Sequence, residues 1–280
     1  MSGDKITIYE ELTLPGGSCD GILDEHKGFI IRGGREMEAH FETLWDLFKS
    51  TPSLAVPDAS VLDEMYWLHK SDPSTNPARA LQNRGELVED MSDLTLTPKA
   101  IEEILKLALT REEDLNDKRI DEYFTEEFFA SNFWLYWATM FAFEPWASAM
   151  EMRRYLLRFV HHIASLADLS SLRFSRYNQY ESLIRPLVAH LESEGVVFQY
   201  GTQVVDVLVT NAGGEKVATE LKLLVGGITG GTEGEAGGST GLTNAGTAES
   251  VILEPTDLVF ITNGSITESS TFGDNNTPAP

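Results

Sequence analysis

The chain has a single cysteine, Cys19, among 280 residues. That excludes an internal disulfide and the metal clusters that need several thiolates at fixed spacing. Basic residues are scarce: 21 Lys and Arg against 44 Asp and Glu give a net charge of -23. This balance excludes nucleic-acid binding through a basic face and simple electrostatic docking on an anionic bilayer. No run of about 20 apolar residues occurs, so no membrane span is expected. Residues 1–20 lack a basic start followed by an apolar run, so no signal peptide is expected. There is no G-x-S-x-G, H-E-x-x-H, P-loop or zinc spacing, and no internal repeat. A soluble, cytoplasmic protein is what remains, with neither nucleic acid nor metal as partner.

What is present suffices for a large core: 42% of residues are hydrophobic and 10% aromatic. "KITIYEE" reads as a strand ending in acid, "LPGGSCDG" as a glycine turn, and "KGFIIR" as a second strand. Met37, Phe41, Leu44, Trp45 and Phe48 have the spacing of an amphipathic helix over 37–48. "TPKAIEEILKLAL" is a helix with Thr97 as N-cap and Pro98 at its first position. From Thr125 to Phe143 rings crowd more than one helical face, which suits a helix buried all round or one lining an apolar cavity. Ser148 and Glu151 form a capping box for the helix "MEMRRYLLRFVHHIASLAD". "YESLIRPLVAHLESEG" is another helix, closed by Gly195.

Beyond residue 195 the texture changes. "VVFQYG", "VVDVLVT" and "VATELKLLV" are strands, the last two joined by the turn "NAGGEK". Residues 225–250 are rich in Gly and Thr and read as a flexible insertion. "DLVFITNGS" reads as a buried strand running into a glycine turn. The order strand, helices, strands predicts an α/β fold. Residues 1–50 and 196–280 would form a discontinuous α/β domain around a mainly helical region, 51–195.

The stretch "IIRGGREMEAH" holds the most concentrated chemistry. Gly33 and Gly34 would let backbone approach a flat ligand closely. Glu36, between Arg32, Arg35 and the following helix, would stay ionised and could orient water or act as a base. The same spacing also suits a salt-bridged turn ahead of a helix. Glu10 stands where a dinucleotide fold places its ribose-binding acid. Tyr155 follows Arg153 and Arg154, and a tyrosine near arginines can have a lowered pKa and donate a proton; packing is the plainer role. His161 and His162 are adjacent, so on a helix they diverge by about 100° and make poor joint metal ligands.

Taken together, "PGGSCDG", "GFIIRGGREMEAHFETLWDLF", "SVLDEMYWL", "EEFFASNFWLYWATMFAFEPW", "SAMEMRRYL", "YNQYESLI" and "DLVFITNGSITESSTFGDNNTPAP" resemble the oleate hydratase family, also called myosin-cross-reactive antigens. The resemblance implies a hydro-lyase that adds water to the cis double bond of oleate, or of linoleate, giving 10-hydroxystearate from oleate. It implies FAD as a cofactor without net redox change, on a partial Rossmann-like sheet with a helical substrate-domain insertion. Glu36 would polarise the water, Tyr155 would donate the proton, and Gln179 would help hold the fatty-acid carboxylate. The flavin would be bound by Glu10, Gly33, Gly34, Arg35, Met37, Asn263, Gly264 and Ser265. The family also implies a homodimer, membrane association through other segments, and a chain about twice as long, with a G-x-G-x-x-G strand ahead of Met1. A flavin-dependent oxidoreductase and a non-catalytic fatty-acid-binding remnant are the alternatives.

Overall fold

Aromatic crowding sets the centre of the larger helical part. The structure, a computed structural model, describes residues 1–31, 36–75, 77, 79–82, 84–88, 91–226, 246–262, 275–276 and 278. In chain order these give strands β1 (Thr7–Tyr9), β2 (Gly21–Asp24), β3 (Gly28–Ile31) and β4 (Met37–Glu38), then helices α1 (Glu42–Phe48) and α2 (Val61–Ser71). The short hairpin β5 (Leu81–Gln82) and β6 (Glu86–Leu87) precedes α3 (Pro98–Leu109), α4 (Glu126–Phe129), α5 (Asn132–Phe141) and α6 (Ala149–Phe159). After β7 (Leu172–Arg173) come α7 (Arg185–Ser193), β8 (Val197–Gln199), β9 (Thr202–Ala212), β10 (Glu215–Val225) and β11 (Thr247–Ile252). This is a mixed α/β chain with small sheets. Among the described residues no helix is long and apolar enough to cross a membrane.

By contact the chain divides into two units. One comprises Met1–Arg35, Thr43–Tyr66 and Ser175–Pro280; the other comprises Glu36–Glu42 and Trp67–Phe174.

The second unit is built around rings. Phe128, Phe133 and Trp137 are fully buried, with Leu107, Leu115, Ile120 and Met152 packed in the same cluster. Phe124 stacks on Phe128 with centroids 3.8 Å apart, Phe133 on Trp137 at 5.3 Å, and Phe141 meets Trp137 edge-on at 4.7 Å. The ring-rich segment is not one helix. It breaks at Ala130–Ser131, where the Ser131 hydroxyl donates to Phe128 O at 2.6 Å and accepts from Trp134 N at 3.1 Å. That capped break redirects the chain, so rings from α4 and α5 converge on one core instead of spreading round a single cylinder. Thr97 caps α3 as expected, accepting from Ala100 N at 3.2 Å, and Ser148 caps α6 through Glu151 N at 3.3 Å. The helix expected over 150–168 ends at Phe159 and tightens into a 3₁₀ segment, Val160–Ser165.

In the first unit β1 and β8 pair in parallel, Thr7 opposite Val197 and Tyr9 opposite Gln199. Strands β9, β10 and β11 form an antiparallel sheet in the order β11-β10-β9. Gly213 and Gly214, at φ 63° and 93°, turn the β9–β10 hairpin; positive φ at both positions matches the twist of the flanking strands. The expected helix over 180–195 is split. Pro186 cannot donate a backbone hydrogen bond, and the preceding turn, Tyr180–Ile184, widens to a π form before α7 begins. Gly195, at φ 94°, closes α7.

Three further expectations change. Residues 37–48 are not one helix: Met37 and Glu38 pair with Arg173 and Leu172 across β4 and β7, and α1 starts only at Glu42. A distant strand takes up backbone groups that a local pattern assigned to a helix. Residues 257–262 form no strand, and Leu258, Phe260 and Ile261 are 67%, 82% and 65% exposed; no partner strand lies beside them among the described residues. Conversely, residues 247–250, read as the end of the insertion, belong to β11, which pairs with β10 from Val225↔Thr247 to Glu220↔Ile252.

The core is expected to dominate the stability of the second unit. Phe128→Ala should cost about 3–5 kcal/mol and Thr97→Ala about 1 kcal/mol in urea denaturation; equal costs would contradict this division.

Candidate functional site

Glu36 enters the second unit one residue before β4 and is exposed. Partial desolvation of its carboxyl still raises its pKa above the usual glutamate value. Arg32 and Arg35, expected to hold it ionised, lie outside the described residues, as do Gly33, Gly34, Asn263, Gly264 and Ser265. Met37, next in the chain, is 4% exposed in β4.

Tyr155 sits on α6 of the same unit. Its ring meets Phe141, Phe143 and Phe159 at centroid distances of 5.0, 5.2 and 5.8 Å. Its hydroxyl has no hydrogen-bond partner among the described residues. The neighbouring arginines are engaged elsewhere. Arg154 grips Glu112 with two bonds at 2.9 and 2.7 Å, and Arg153 donates to Ala108 O at 3.2 Å and to Glu112 at 3.4 Å. Tyr155 is therefore a partly buried ring packed against the apolar core, without an arginine on its hydroxyl among the described residues.

The densest electrostatics surround a residue the sequence reading did not single out. The Glu38 side chain is 2% exposed. Arg158 Nη2 lies 2.5 Å from its Oε1, and the Nε2 atoms of His161 and His162 both reach its Oε2. The adjacent histidines, expected to diverge, converge on one oxygen with ring centroids 4.2 Å apart. The 3₁₀ segment and the length of the side chains make this convergence possible. A signal was present in the sequence: an acid two residues past Glu36, and a His pair after an arginine.

Proton order follows from the acceptor at the centre. A carboxylate only accepts, so His162 donates from Nε2 and its Nδ1 accepts from the Ser171 hydroxyl. The Ser165 hydroxyl is close to Ser171 Oγ and donates to His162 O at 3.0 Å. Burial alone would raise the Glu38 pKa, but the bonds from His161 and His162 and the charge of Arg158 outweigh it and hold the carboxyl below its usual value. Burial lowers the His162 pKa, with Glu38 opposing only in part. Glu38 and the two imidazoles lie within 4.8 Å of one another, a spacing a metal ion could use. The Arg158 guanidinium already supplies positive charge there and would repel a dication.

In the first unit, Glu10 follows β1. Its Oε1 accepts from Leu12 N at 2.9 Å, while its backbone N donates to Gln199 O and its carbonyl accepts from Thr202 N, both at 3.0 Å. An acid held at the end of a strand in a parallel pair, its second carboxylate oxygen without a partner among the described residues, fits a ribose-binding role. Gln179 is 7% exposed, and its amide has no hydrogen-bond partner among the described residues. A buried amide of that kind fits a polar ligand group. Next to it, Asn178 Nδ2 donates to Ile30 O at 3.3 Å and Oδ1 accepts from Glu181 N at 2.8 Å. Asn178 thereby ties the end of β3 to the turn that carries Gln179. Gly21 leaves room for this: a Cβ there would stand 2.7 Å from Ile30 O and 3.0 Å from Asn178 Nδ2.

The model of the MCRA family matches residues 1–280. The chain is 50% identical over 273 residues to an oleate hydratase of Streptococcus pyogenes serotype M49 (strain NZ131), covering 98% of this chain and 43% of that protein. It is 31% identical over 262 residues to a linoleate hydratase of Lactiplantibacillus plantarum, covering 90% of this chain and 43% of that protein. The chain thus spans less than half the length of these curated relatives.

The Glu38 cluster makes the second unit acid-sensitive. A group whose folded pKa is depressed stabilises above its unfolded pKa and loses that contribution as pH falls. For His162 the loss starts below its ordinary 6.5, and for Glu38 below 4.5. Denaturant titration should show a plateau above pH 6.5 and a decline beneath it. His162→Gln should remove the upper part of that decline. An unchanged pH profile in this variant would refute the assignment.

Proposed function

The chain belongs to the MCRA family, and from that premise we propose that it carries the water-activating and proton-donating groups of a fatty acid hydratase. The substrate is oleate, with linoleate as a second, and the product of oleate is 10-hydroxystearate. The observation that carries this reading is Tyr155: a hydroxyl without a partner among the described residues, on a ring packed against three others, in the same unit as Glu36.

An isolated alkene is a weak electrophile, so hydration needs a proton placed on one carbon and a water aimed at the other. Tyr155 gives its hydroxyl proton to the first carbon, and the π electrons form the new C–H bond. Water attacks the second carbon, its oxygen forming the C–O bond, while the Glu36 carboxylate accepts the proton that water loses. Return of that proton to the Tyr155 phenolate through solvent restores both groups. The ring cage keeps bulk water from quenching the developing positive charge. Gln179, a buried amide, is suited to hold the fatty-acid carboxylate by hydrogen bonds.

FAD is the proposed cofactor, held by Glu10, Gly33, Gly34, Arg35, Met37, Asn263, Gly264 and Ser265, and the β1–β8 parallel pair is the proposed part of a Rossmann-like sheet. When bound it supplies a shaped, polar wall to the site and no net electron transfer. Glu10, set at the strand end with one carboxylate oxygen unpartnered among the described residues, supports this fit.

The test is incubation of the chain with FAD and oleate in ¹⁸O-labelled water, with the streptococcal relative as control. Labelled hydroxystearate is expected; a product that has lost hydrogen would favour an oxidoreductase. Glu36→Gln and Tyr155→Phe should each slow hydration by about 10²–10⁴-fold. Because the Glu36 pKa is raised, the acid limb of the rate should lie above 4.5 and vanish in Glu36→Gln.

A further inference from the structure

Glu38 takes no part in the reaction just described, yet it is 1% exposed and charged. A buried carboxylate is costly and persists only where partners compensate it. Three of those partners follow Tyr155 closely in the chain: Arg158 on α6, and His161 and His162 just beyond it. The backbone tie between the two segments is slight. Strands β4 and β7 pair only at Met37↔Arg173 and Glu38↔Leu172, and so short a ladder restrains a strand weakly. Side chains therefore supply most of the hold.

Arg158 grips more than one point. Its Nη2 also donates to His40 O at 3.0 Å, and its guanidinium lies 5.6 Å from the Phe41 ring centroid and 5.2 Å from that of Phe159. His161 adds an edge-on ring contact to His40 at 4.6 Å. The whole segment from Glu38 to Phe41 is thus fastened to the end of α6. The spacing along each element matters. Glu36 is two residues before Glu38, with only Met37 between them. Tyr155 is three residues before Arg158, one helical turn away on the same face.

We propose that Glu38 and Arg158 are positioning residues: their ion pair, buried at its Glu38 end and braced by His161 and His162, fixes the segment carrying Glu36 against the helix carrying Tyr155. The inference rests on the hydratase reading for the roles of Glu36 and Tyr155. It adds what keeps those two groups at one separation. Glu38 is closed off from solvent, so its loss should disturb the geometry of turnover more than the capture of substrate.

Two readouts on the 280-residue chain test this. Amide hydrogen exchange across residues 36–41 needs no turnover. Steady-state hydration with FAD and oleate separates kcat from KM. The variants are Glu38→Gln, Arg158→Met, Arg158→Lys and the pair Glu38→Gln with Arg158→Met. The pair removes the buried carboxylate that Arg158→Met alone would leave short of a partner, and serves if that single variant fails to fold. Loss of the clamp should speed exchange by about tenfold or more and lower kcat by about 10²-fold, the usual effect of an ångström-scale misplacement. KM should stay within about a factor of two. Arg158→Lys, which keeps the charge, should recover part of kcat. Unchanged exchange would overturn the proposal. So would faster exchange with an unchanged kcat, since the ion pair would then be structural only. If the unsubstituted chain gives no labelled product, the hydratase reading fails for this chain. The exchange arm still decides the clamp: faster exchange supports it, and unchanged exchange overturns it.

Discussion

One buried carboxylate organises the second unit. Glu38 lies inside a protein whose acids outnumber its bases by roughly two to one, and it has gathered a guanidinium and two imidazoles around itself. Those groups come from residues more than a hundred positions along the chain. Glu38 is the buried member and the Arg158 side chain is 42% exposed, so removal of Arg158 leaves a buried carboxylate short of compensating charge, while removal of Glu38 leaves the guanidinium in contact with water. The short β4–β7 ladder, the end of α6 and the 3₁₀ segment after it are all consistent with that single requirement.

The ring cluster answers a different need. Rings bury much surface for few freely rotating bonds and hold one another at defined angles. The stacked pairs Phe124–Phe128 and Phe133–Trp137 fill the centre with Phe143, while Phe141 and Phe159 pack against it beside Tyr155. The same segment thus forms a core on one side and, in the proposed function, a dry wall on the other. Of the two settings the ring-rich sequence allowed, the core is the one these contacts show.

The proposed function gives these features a chemical setting. A hydratase has no redox step to perform and no strong electrophile to attack. Its demands are an acid, a base-like group for water, and fixed geometry between them. A tyrosine at the edge of an apolar cluster and a glutamate with a raised pKa, in one unit, are consistent with those demands. The chain spans less than half of each curated relative, so those relatives contain more than the groups described for this one.

Much of the local structure was legible in the residues alone. Thr97 and Ser148 announced helix starts because a hydroxyl ahead of a helix satisfies amides that nothing else in the helix can. Gly213 and Gly214 announced a hairpin because few other residues accept positive φ. The motif strings pointed to the family, since long exact patterns seldom recur by chance. Long-range pairing was beyond reach. Met37 to Phe48 fitted a helix by spacing, and only Leu172 and Arg173, brought alongside in three dimensions, make its first residues a strand. The apolar run from Leu258 to Ile261 looked like a buried strand, but burial needs a partner and periodicity cannot supply one. Adjacent His161 and His162 looked divergent because helix geometry is local; a distant carboxylate drew them together. Sequence by itself determined what each short segment could become and which family it came from. Tertiary structure decided which carboxylate would be buried and by what, because the energy of a buried charge depends on groups that are neighbours in space and strangers along the chain.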